Sequence, residues 1–481
     1  MANHDVQIEP GETPITLSIR NLLRQTEIAK ADLHSYETTA CLLITEGAKH
    51  DITVDGGTTV LITAATYGLK RLVSTLLQHG AKVDVVDYCG RTALTYAAEK
   101  GHEEIVALLL ANGASPNIPT FSRKTALIYA AQRGSEEIVR MLLRKVVDVN
   151  VVNCSGRTAL SYASENGHEA IVALLLNCRA APNLLGKYGE TPLTSAARGG
   201  HEEIARLLLT NKADPNIFAT FDGTPLIAAV KNGHEEMVRL LLMNKECKAN
   251  PDLVGLRNDT PMMLAITGGH DQIVYQLIEA GATLEITNRD DYTALSLASF
   301  HGRDSVASWL LAAGANPNKL STAGHHPLYI VAARGYEVIV KLLLTSGADP
   351  DITTNTGVTA LMIAAEYGYD NIVHLLLGAR PNLDHSGQSG WTALSRASRW
   401  GHKTIVHQLL NHGAKPNRSD RSGKTPLFWA SSEGYEEIVR MLLMNGADPN
   451  IEDTEGYTPL QIATNRGHDH VVKVLFELLA K

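Results

Sequence analysis

Apolar positions along this chain recur in short groups with helical spacing. One group lies in the segment GETPLTSAARGGHEEIARLLL, which starts at Gly189. The Thr191 hydroxyl can cap the first amides of a helix, and Pro192 lacks the N–H that this position leaves unpaired. Gly200 can adopt the left-handed conformation that ends a helix. The pattern therefore predicts a first helix of barely two turns.

A longer amphipathic helix is predicted to follow directly. After His201 come two glutamates, which favour the positive end of the helix dipole, and then apolar residues at helical spacing. The next segment, NKADPNIFATFDG, contains the Asp, Asn, Pro and Gly typical of tight turns. It predicts a hairpin-like loop that leads the chain into another first helix.

This unit repeats with a strict period. The residue at the position of Thr191, here called the anchor, recurs every 33 residues with one spacing of 36, and a glycine always stands nine residues later. The anchors are Thr59, Thr92, Thr125, Thr158, Thr191, Thr224, Thr260, Thr293, His326, Thr359, Thr392, Thr425 and Thr458. A single unit cannot bury its apolar side alone, so neighbouring units must stack.

The unit resembles the ankyrin repeat in the segments GETPLTSAARGGHEEIARLLL, GYTPLQIATNRGH and MLLMNGADPNI. The resemblance implies an all-α fold, an ankyrin-repeat solenoid of stacked helix-turn-helix units with protruding hairpin loops. A weaker copy between Gly11 and Ile52 brings the count to fourteen repeats. We expect residues 1–52 to form a divergent N-terminal capping repeat and residues 53–481 to form a thirteen-repeat array.

Two departures from the family pattern bear on stability. The histidine that usually follows Thr-Pro-Leu is replaced in every repeat, so hydrogen bonds between repeats must come from other groups. The glycine that ends the second helix is also missing from four consecutive repeats, in which we expect strained or reshaped helix ends. The residues in its place are Val146, Arg179, Lys212 and Lys245.

Composition and charge narrow the functional classes. The 481 residues carry a net charge of -8, which provides no global basic field for nucleic acid. The five cysteines lie far apart, which excludes a dense disulfide framework and the usual zinc spacings. The sequence shows no signal peptide and no apolar run of membrane-spanning length. We expect a cytoplasmic or nuclear protein with no nucleic-acid partner and no membrane insertion.

Motifs that suggest chemistry are better explained by the repeat. The segment Ser422–Thr425 resembles the end of a phosphate-binding loop, but Arg418 replaces its first glycine. His-Glu pairs such as His102-Glu103 lack the second histidine of a zinc site. His326 occupies an anchor position, where we expect a structural role. We therefore predict no metal and no cofactor, and no catalytic residues can be assigned.

Ankyrin repeats usually meet partners at the hairpin tips and at the inner surface of the first helix, so we expect the binding residues at these positions. Aromatic and arginine side chains dominate interface energetics. The denser group, here called the aromatic tract, comprises Tyr292, Phe300, His301, Arg334, Tyr367, Trp391, Arg399 and Trp400.

A second group lies on earlier hairpins: Tyr88, Arg91, Phe121, Lys124, Arg157, Tyr188, Phe218 and Phe221. Within it, Arg91, Lys124 and Arg157 share the position before the anchor and are here called the basic row. This row could meet an acidic or phosphorylated partner. Tyrosines four residues after the anchors, such as Tyr129, are expected to pack in the core instead.

The leading functional hypothesis is a non-enzymatic scaffold or adaptor that binds a protein segment or domain in its concave groove. The alternative is an enzyme or small-molecule-binding protein whose site is assembled in the same groove. A third hypothesis is a regulatory fragment of a longer polypeptide.

Overall fold

The computed structural model describes residues 30–47, 50, 51, 53, 55–244 and 247–479. Over these residues the chain forms α-helices, one short 3-10 turn at Asp55–Gly57 and two isolated β-bridges, with no strands. Contacts divide the chain into two compact units, Met1–Asn250 and Pro251–Lys481. The boundary falls in the loop that carries the 36-residue spacing. The predicted all-α repeat fold is confirmed.

The helices of the first unit follow the predicted alternation of first and second helices. They are α1 (Lys30–Thr45), α2 (Val60–Tyr67), α3 (Lys70–Gln78), α4 (Ala93–Lys100), α5 (Glu103–Ala111), α6 (Ala126–Arg133), α7 (Glu136–Leu143), α8 (Ala159–Glu165), α9 (Glu169–Asn177), α10 (Pro192–Gly199), α11 (Glu202–Thr210), α12 (Pro225–Lys231) and α13 (Glu235–Met243).

The second unit continues the same order, with even-numbered first helices and odd-numbered second helices. They are α14 (Pro261–Gly268), α15 (Asp271–Glu279), α16 (Ala294–His301), α17 (Asp304–Ala312), α18 (Pro327–Arg334), α19 (Glu337–Thr345), α20 (Ala360–Tyr367), α21 (Asp370–Gly378), α22 (Ala393–Trp400), α23 (Lys403–Asn411), α24 (Pro426–Glu433), α25 (Glu436–Met444), α26 (Pro459–Asn465) and α27 (Asp469–Leu479).

The ends of the first helices are formed as the sequence predicts. The Thr191 hydroxyl accepts a hydrogen bond of 3.1 Å from the Thr194 amide, and Gly200 has φ 71°. Alanines on the inner side of these helices, such as Ala196 and Ala197, are fully buried. Small side chains allow first helices of successive repeats to pack closely, and each also packs on the second helix of its own repeat.

Histidines at the start of the second helices supply hydrogen bonds between repeats. The Nε2 atom of His201 lies 3.1 Å from the Glu165 carbonyl oxygen, and that of His402 lies 2.9 Å from the Glu366 carbonyl oxygen. Because a carbonyl oxygen only accepts, the imidazole donates in both cases. His102, His234 and His468 make the corresponding contacts. These bonds replace those expected from the missing family histidine.

The second helices that lack the usual glycine end in two ways. Arg179 and Lys212 both take the left-handed conformation, at φ 65°, where a Cβ atom is strained. Helix α7 ends instead at Leu143 with ordinary helical geometry at Arg144, and Val146 is 92% exposed. The expected strain and reshaping are therefore both present, and Lys245 lies outside the described residues.

Helix α1 is the described part of the N-terminal repeat, and its predicted first helix lies outside the described residues. The helix packs against α3. The Glu37 side chain accepts hydrogen bonds from the Arg71 and Leu72 amides at the start of α3, at 2.9 and 3.2 Å. A carboxylate on these unpaired amides stabilises the helix end. That residues 1–52 act as a cap stays a prediction.

Candidate partner-binding surfaces

In each of two repeats a buried aspartate, Asp87 or Asp420, joins the hairpin to the first helix that follows it. Asp87 accepts hydrogen bonds of 2.8 Å from the Cys89 and Arg91 amides through one oxygen and from the Tyr96 hydroxyl through the other. Burial and the Asp87 contact raise the pKa of Tyr96 to about 12. The hairpin therefore holds Arg91, which precedes the anchor Thr92, next to the Tyr96 ring, which lies four residues after that anchor.

The hairpin tips stack on one another in the first unit. The Tyr88 amide donates to the Gly56 carbonyl at 2.9 Å, and the Phe121 amide donates to the Cys89 carbonyl at 3.0 Å. Gly90 is required beneath Phe121, because a Cβ atom there would lie 2.9 Å from the Phe121 ring. The aromatic side chains of the tips remain exposed, namely Tyr88, Phe121, Tyr188, Phe218 and Phe221.

The basic row alternates with tyrosine rings. The Arg91 guanidinium lies 5.0 Å from the centroid of Tyr96 and 5.2 Å from that of Tyr129, and the Lys124 ammonium lies 5.2 Å from Tyr129 and 5.0 Å from Tyr162. Tyr129 is only 5% exposed. The prediction that this ring packs in the core is thus confirmed, and its face stabilises the cations of the row.

The two arginines of the basic row already have acidic partners. Arg91 pairs with Glu99 at 2.8 Å and Arg157 pairs with Glu165, whereas the Lys124 ammonium donates to the neutral amide oxygen of Gln132. The structure thus brings the row together but neutralises much of it. The row borders a cavity of about 510 Å³, lined by Arg91, Glu99, Ser122, Lys124, Tyr129, Gln132 and Arg133.

The aromatic tract begins with a cluster that spans two repeats. The Arg334 guanidinium lies 3.6 Å from the centroid of Phe300, and the Phe300 ring makes an edge contact of 5.3 Å with His301. Burial lowers the pKa of His301, and the nearby Arg303 and Arg334 lower it further. The Phe300 ring face attracts the Arg334 cation, and Arg334 remains exposed.

The other end of the tract borders a cavity of about 140 Å³. It is lined by Glu366, Ser389, Trp391, Arg396, Arg399 and Trp400. The Arg399 guanidinium lies 5.0 Å from the centroid of Trp391 and 5.5 Å from that of Trp400. Arg396 forms an ion pair with Glu366 at the cavity wall. Burial lowers the pKa of Arg396.

Trp429 is part of this cluster and was missed from the sequence. Its ring lies 4.8 Å from that of Trp391 and 4.6 Å from the Arg399 guanidinium, measured at the centroids. Its indole N–H donates to Asp420 at 3.1 Å, as the Tyr96 hydroxyl does to Asp87. The sequence predicts that tyrosines four residues after an anchor pack in the core, whereas Trp429 at this position is only half-buried.

The remaining tract residues lie apart from these clusters. Tyr367 is 56% exposed at the end of α20, with its ring 6.1 Å from that of Tyr369, and Tyr292 is half-buried. In the described part of the chain, no ring or ion-pair contact joins Tyr292 or Tyr367 to the Phe300 or Trp400 clusters. The tract therefore consists of two preformed clusters, with the exposed Tyr367 and the half-buried Tyr292 outside them.

The described residues hold no cluster of three or more His, Cys, Asp or Glu side chains able to bind a metal ion. None of their helices has both the length and the apolar character needed to cross a membrane.

Comparison with known proteins places the chain among repeat proteins. A family model for ankyrin repeats (3 copies) matches residues 28–120, 119–185, 178–253, 247–321, 313–385, 381–453 and 419–481. A similar solved structure is the crystal structure of the ankyrin repeat domain of Bcl-3, described as a unique member of the IkappaB protein family. The two sequences are 30% identical, and the match spans 45% of this chain and 98% of the Bcl-3 chain, with a TM-score of 0.41.

The comparison with curated proteins gave no match. Ankyrin repeats in general bind protein partners. Because the family model matches in overlapping segments from residue 28 to residue 481, the chain belongs to the ankyrin-repeat family.

Proposed function

We propose that this protein is a non-enzymatic interaction scaffold that holds a protein segment against its aromatic tract. The observation that carries the proposal is the Trp391–Arg399–Trp400 cluster, in which Trp400 is 52% exposed beside an open cavity. Trp, Tyr and Arg present large contact areas and dominate the energetics of interfaces. Exposed clusters of such side chains mark interaction sites on soluble proteins.

Internal contacts hold these side chains in place before any partner binds. Asp420 fixes the Trp429 indole, Trp429 packs against Trp391, and Arg399 lies over the rings. Side chains that are already ordered lose less conformational entropy on binding, which strengthens association. The cluster therefore meets the physical requirement of a binding hot spot.

The cavity volume favours a protein segment over a free small molecule. Sites for small molecules usually enclose roughly 300–1,000 Å³, whereas the cavity beside Trp400 encloses about 140 Å³. The cavity beside the basic row is larger, but charged and polar side chains form most of its lining. The aromatic tract therefore suits a side chain presented by a larger partner.

The free cysteines support a reducing compartment, the cytoplasm or the nucleus. Cys89, Cys154 and Cys178 are exposed and unpaired. Exposed thiols persist where glutathione and thioredoxin keep them reduced.

Affinity capture with the full chain tests the proposal. Trp400→Ala combined with Arg334→Ala should remove the captured protein, because truncating an interface anchor typically costs about 2 kcal/mol or more, roughly thirtyfold in affinity. Phe476→Ala is the matched control, since Phe476 is an exposed aromatic residue on the second helix α27. Circular dichroism and melting curves should be nearly unchanged in all variants.

Capture should be analysed by both protein and metabolite mass spectrometry. If the double variant binds normally while the Arg91, Lys124 and Arg157 triple alanine variant fails, the basic row is the site. If neither set affects a protein but the double variant changes turnover of a captured metabolite, the enzyme alternative replaces the scaffold.

A further inference from the structure

Side chains one residue before and seven residues after an anchor face each other in several repeats. The pairs Arg91–Glu99 and Glu190–Arg198 are ion pairs of 2.8 and 3.6 Å. Arg157 pairs with Glu165 in the same way, and Lys124 donates to Gln132 at 3.0 Å. In each of these four repeats the basic side chain therefore has an oxygen acceptor at the opposing position.

The repeat anchored at Thr392 breaks this pattern. Trp391 stands at the earlier position and Arg399 at the later one, so an aromatic ring replaces the carboxylate. Arg399 lies over Trp391, Trp400 and Trp429, at 5.0, 5.5 and 4.6 Å from their centroids. No carboxylate in the described part of the chain lies within 4.0 Å of its guanidinium nitrogens.

The acidic side chains of Glu366 and Asp420 are engaged by groups other than Arg399. Glu366, on the cavity wall, pairs with Arg396, whose side chain is only 14% exposed. Asp420 is buried and accepts hydrogen bonds from the Trp429 indole and from the Ser422 and Lys424 amides. Breaking either arrangement would leave a charge without its partner, so Glu366 and Asp420 stay with their present partners. Arg399 is then the one charge without an opposite charge among the residues that line the cavity.

We propose that Arg399 receives the carboxylate of an Asp or Glu side chain from the partner, and that a large apolar side chain next to it packs on Trp400. This inference rests on the proposed function and names the chemistry of the segment bound there. A guanidinium stacked on aromatic rings still presents its N–H donors in its own plane, and this planar fork matches a carboxylate. The exposed half of Trp400 supplies the adjoining apolar surface.

A carboxylate fits the site better than a phosphate group. Phosphorylated segments carry close to two negative charges and are usually bound by clusters of arginines. Here the second arginine of the cavity, Arg396, is already paired with Glu366. A single unpaired cation matches the single charge of Asp or Glu.

Peptides of defined sequence test the inference on the full chain. The probes are fluorescein-labelled 12-residue Gly/Ser peptides with Glu-Phe, Gln-Phe, Glu-Ser or phosphoserine-Phe at the centre, measured by fluorescence anisotropy. The Glu-Phe peptide should bind at least about tenfold more tightly than the Gln-Phe peptide, because hydrogen bonds to a charged acceptor are the strong ones. The Glu-Ser peptide should also bind more weakly, since it lacks the group that packs on Trp400.

Variants of Arg399 test whether this residue causes the preference for the Glu-Phe peptide over the Gln-Phe peptide. Arg399→Gln should remove the difference between the Glu-Phe and Gln-Phe peptides, and Arg399→Lys, which keeps the charge without the fork, should retain part of it. Arg440→Gln is the matched control, because Arg440 lies on the second helix α25 and pairs with Glu436. Tryptophan fluorescence and melting curves confirm that each variant is folded.

Three results would overturn the inference: no binding of the Glu-Phe peptide, equal binding of the Glu-Phe and Gln-Phe peptides, or tighter binding of the phosphoserine peptide. These outcomes leave the proposed function standing as long as capture of the native partner still depends on Trp400 and Arg334. Loss of that dependence would instead contradict the proposed function itself.

Discussion

At the scale of single residues, His326 shows how a substitution at an anchor is accommodated. It is fully buried and takes the place of the capping threonine, with its Nδ1 accepting from the Tyr329 amide at 3.4 Å. Its Nε2 lies 3.2 Å from the Ile352 carbonyl oxygen and must donate, so the ring is neutral in this arrangement. Burial lowers the pKa of His326 to about 4. The expected structural role of this residue is confirmed.

This histidine should make the protein sensitive to acid. The unfolded chain protonates His326 near the ordinary pKa of about 6.5, whereas the folded chain does so only near 4. Between these values the unfolded state binds more protons, so the free energy of unfolding falls as the pH decreases from about 6.5 towards 4, by up to about 3 kcal/mol. The His326→Thr variant should lose less of its free energy of unfolding between pH 7.5 and pH 4.5, as measured by urea unfolding.

The variant His407→Thr, which removes an exposed histidine, serves as the control for that measurement. Burial also lowers the pKa of His301, His325 and His402. Part of the acid sensitivity should therefore persist in the His326 variant. An unchanged slope in that variant would contradict the role assigned to this residue.

At the scale of the helical elements, the backbone is strained at the ends of α9 and α11. Arg179 and Lys212 follow these helices in the left-handed conformation. Several other second helices reach it with glycine, as at Gly113 with φ 86°, and α21 reaches it with Arg380 at φ 57°. A Cβ atom in this conformation costs roughly 1–2 kcal/mol. We therefore expect the repeats that contain these residues to be less stable than repeats whose second helix is followed by glycine.

Replacing the strained residues by glycine should stabilise the protein. Arg179→Gly and Lys212→Gly should each raise the free energy of unfolding by about 1 kcal/mol, because glycine removes the strain at this conformation. Arg144→Gly is the matched control, since Arg144 ends α7 with φ -70° and gains nothing from glycine. Its unfolding free energy should fall instead. Denaturant unfolding of the three variants decides whether the two left-handed positions carry strain.

At the scale of the whole molecule, stability is expected to vary along the chain. Within each of the two compact units, helices pack on the helices of their own repeat and of neighbouring repeats. In such repeat arrays, local openings start where the interactions between neighbours are weakest. Three of the repeats with modified helix ends follow one another in the first unit.

Hydrogen exchange should reveal this difference. Amides between Leu142 and Leu242 should exchange faster than those in the helices of the second unit, because three successive repeats of this segment have strained or reshaped helix ends. In the described part of the second unit, Arg380 alone takes the strained conformation after a second helix. The combined Arg179→Gly and Lys212→Gly variant should slow exchange in this segment. Equal protection of the segment and the second unit in the unmodified protein would contradict a stepwise loss of structure.

The repeat, its helices and their capped ends follow from the sequence alone, because they depend on interactions within a few residues. Thr191, Pro192 and Gly200 specify where a first helix begins and ends, and the 33-residue period places every copy. The same offsets also selected Trp391, Arg399 and Trp400 as binding residues. That selection stays a prediction about function.

Only the tertiary structure decided how the candidate site is assembled. Trp391 and Trp429 belong to successive repeats, and the contact between their rings depends on how the hairpin held by Asp420 is placed. The pairing of Arg396 with Glu366 likewise joins side chains of two repeats and leaves Arg399 without an acidic partner in the described residues. Spacing along the chain determines which residues share a face, whereas packing between repeats determines which of them remain unpaired.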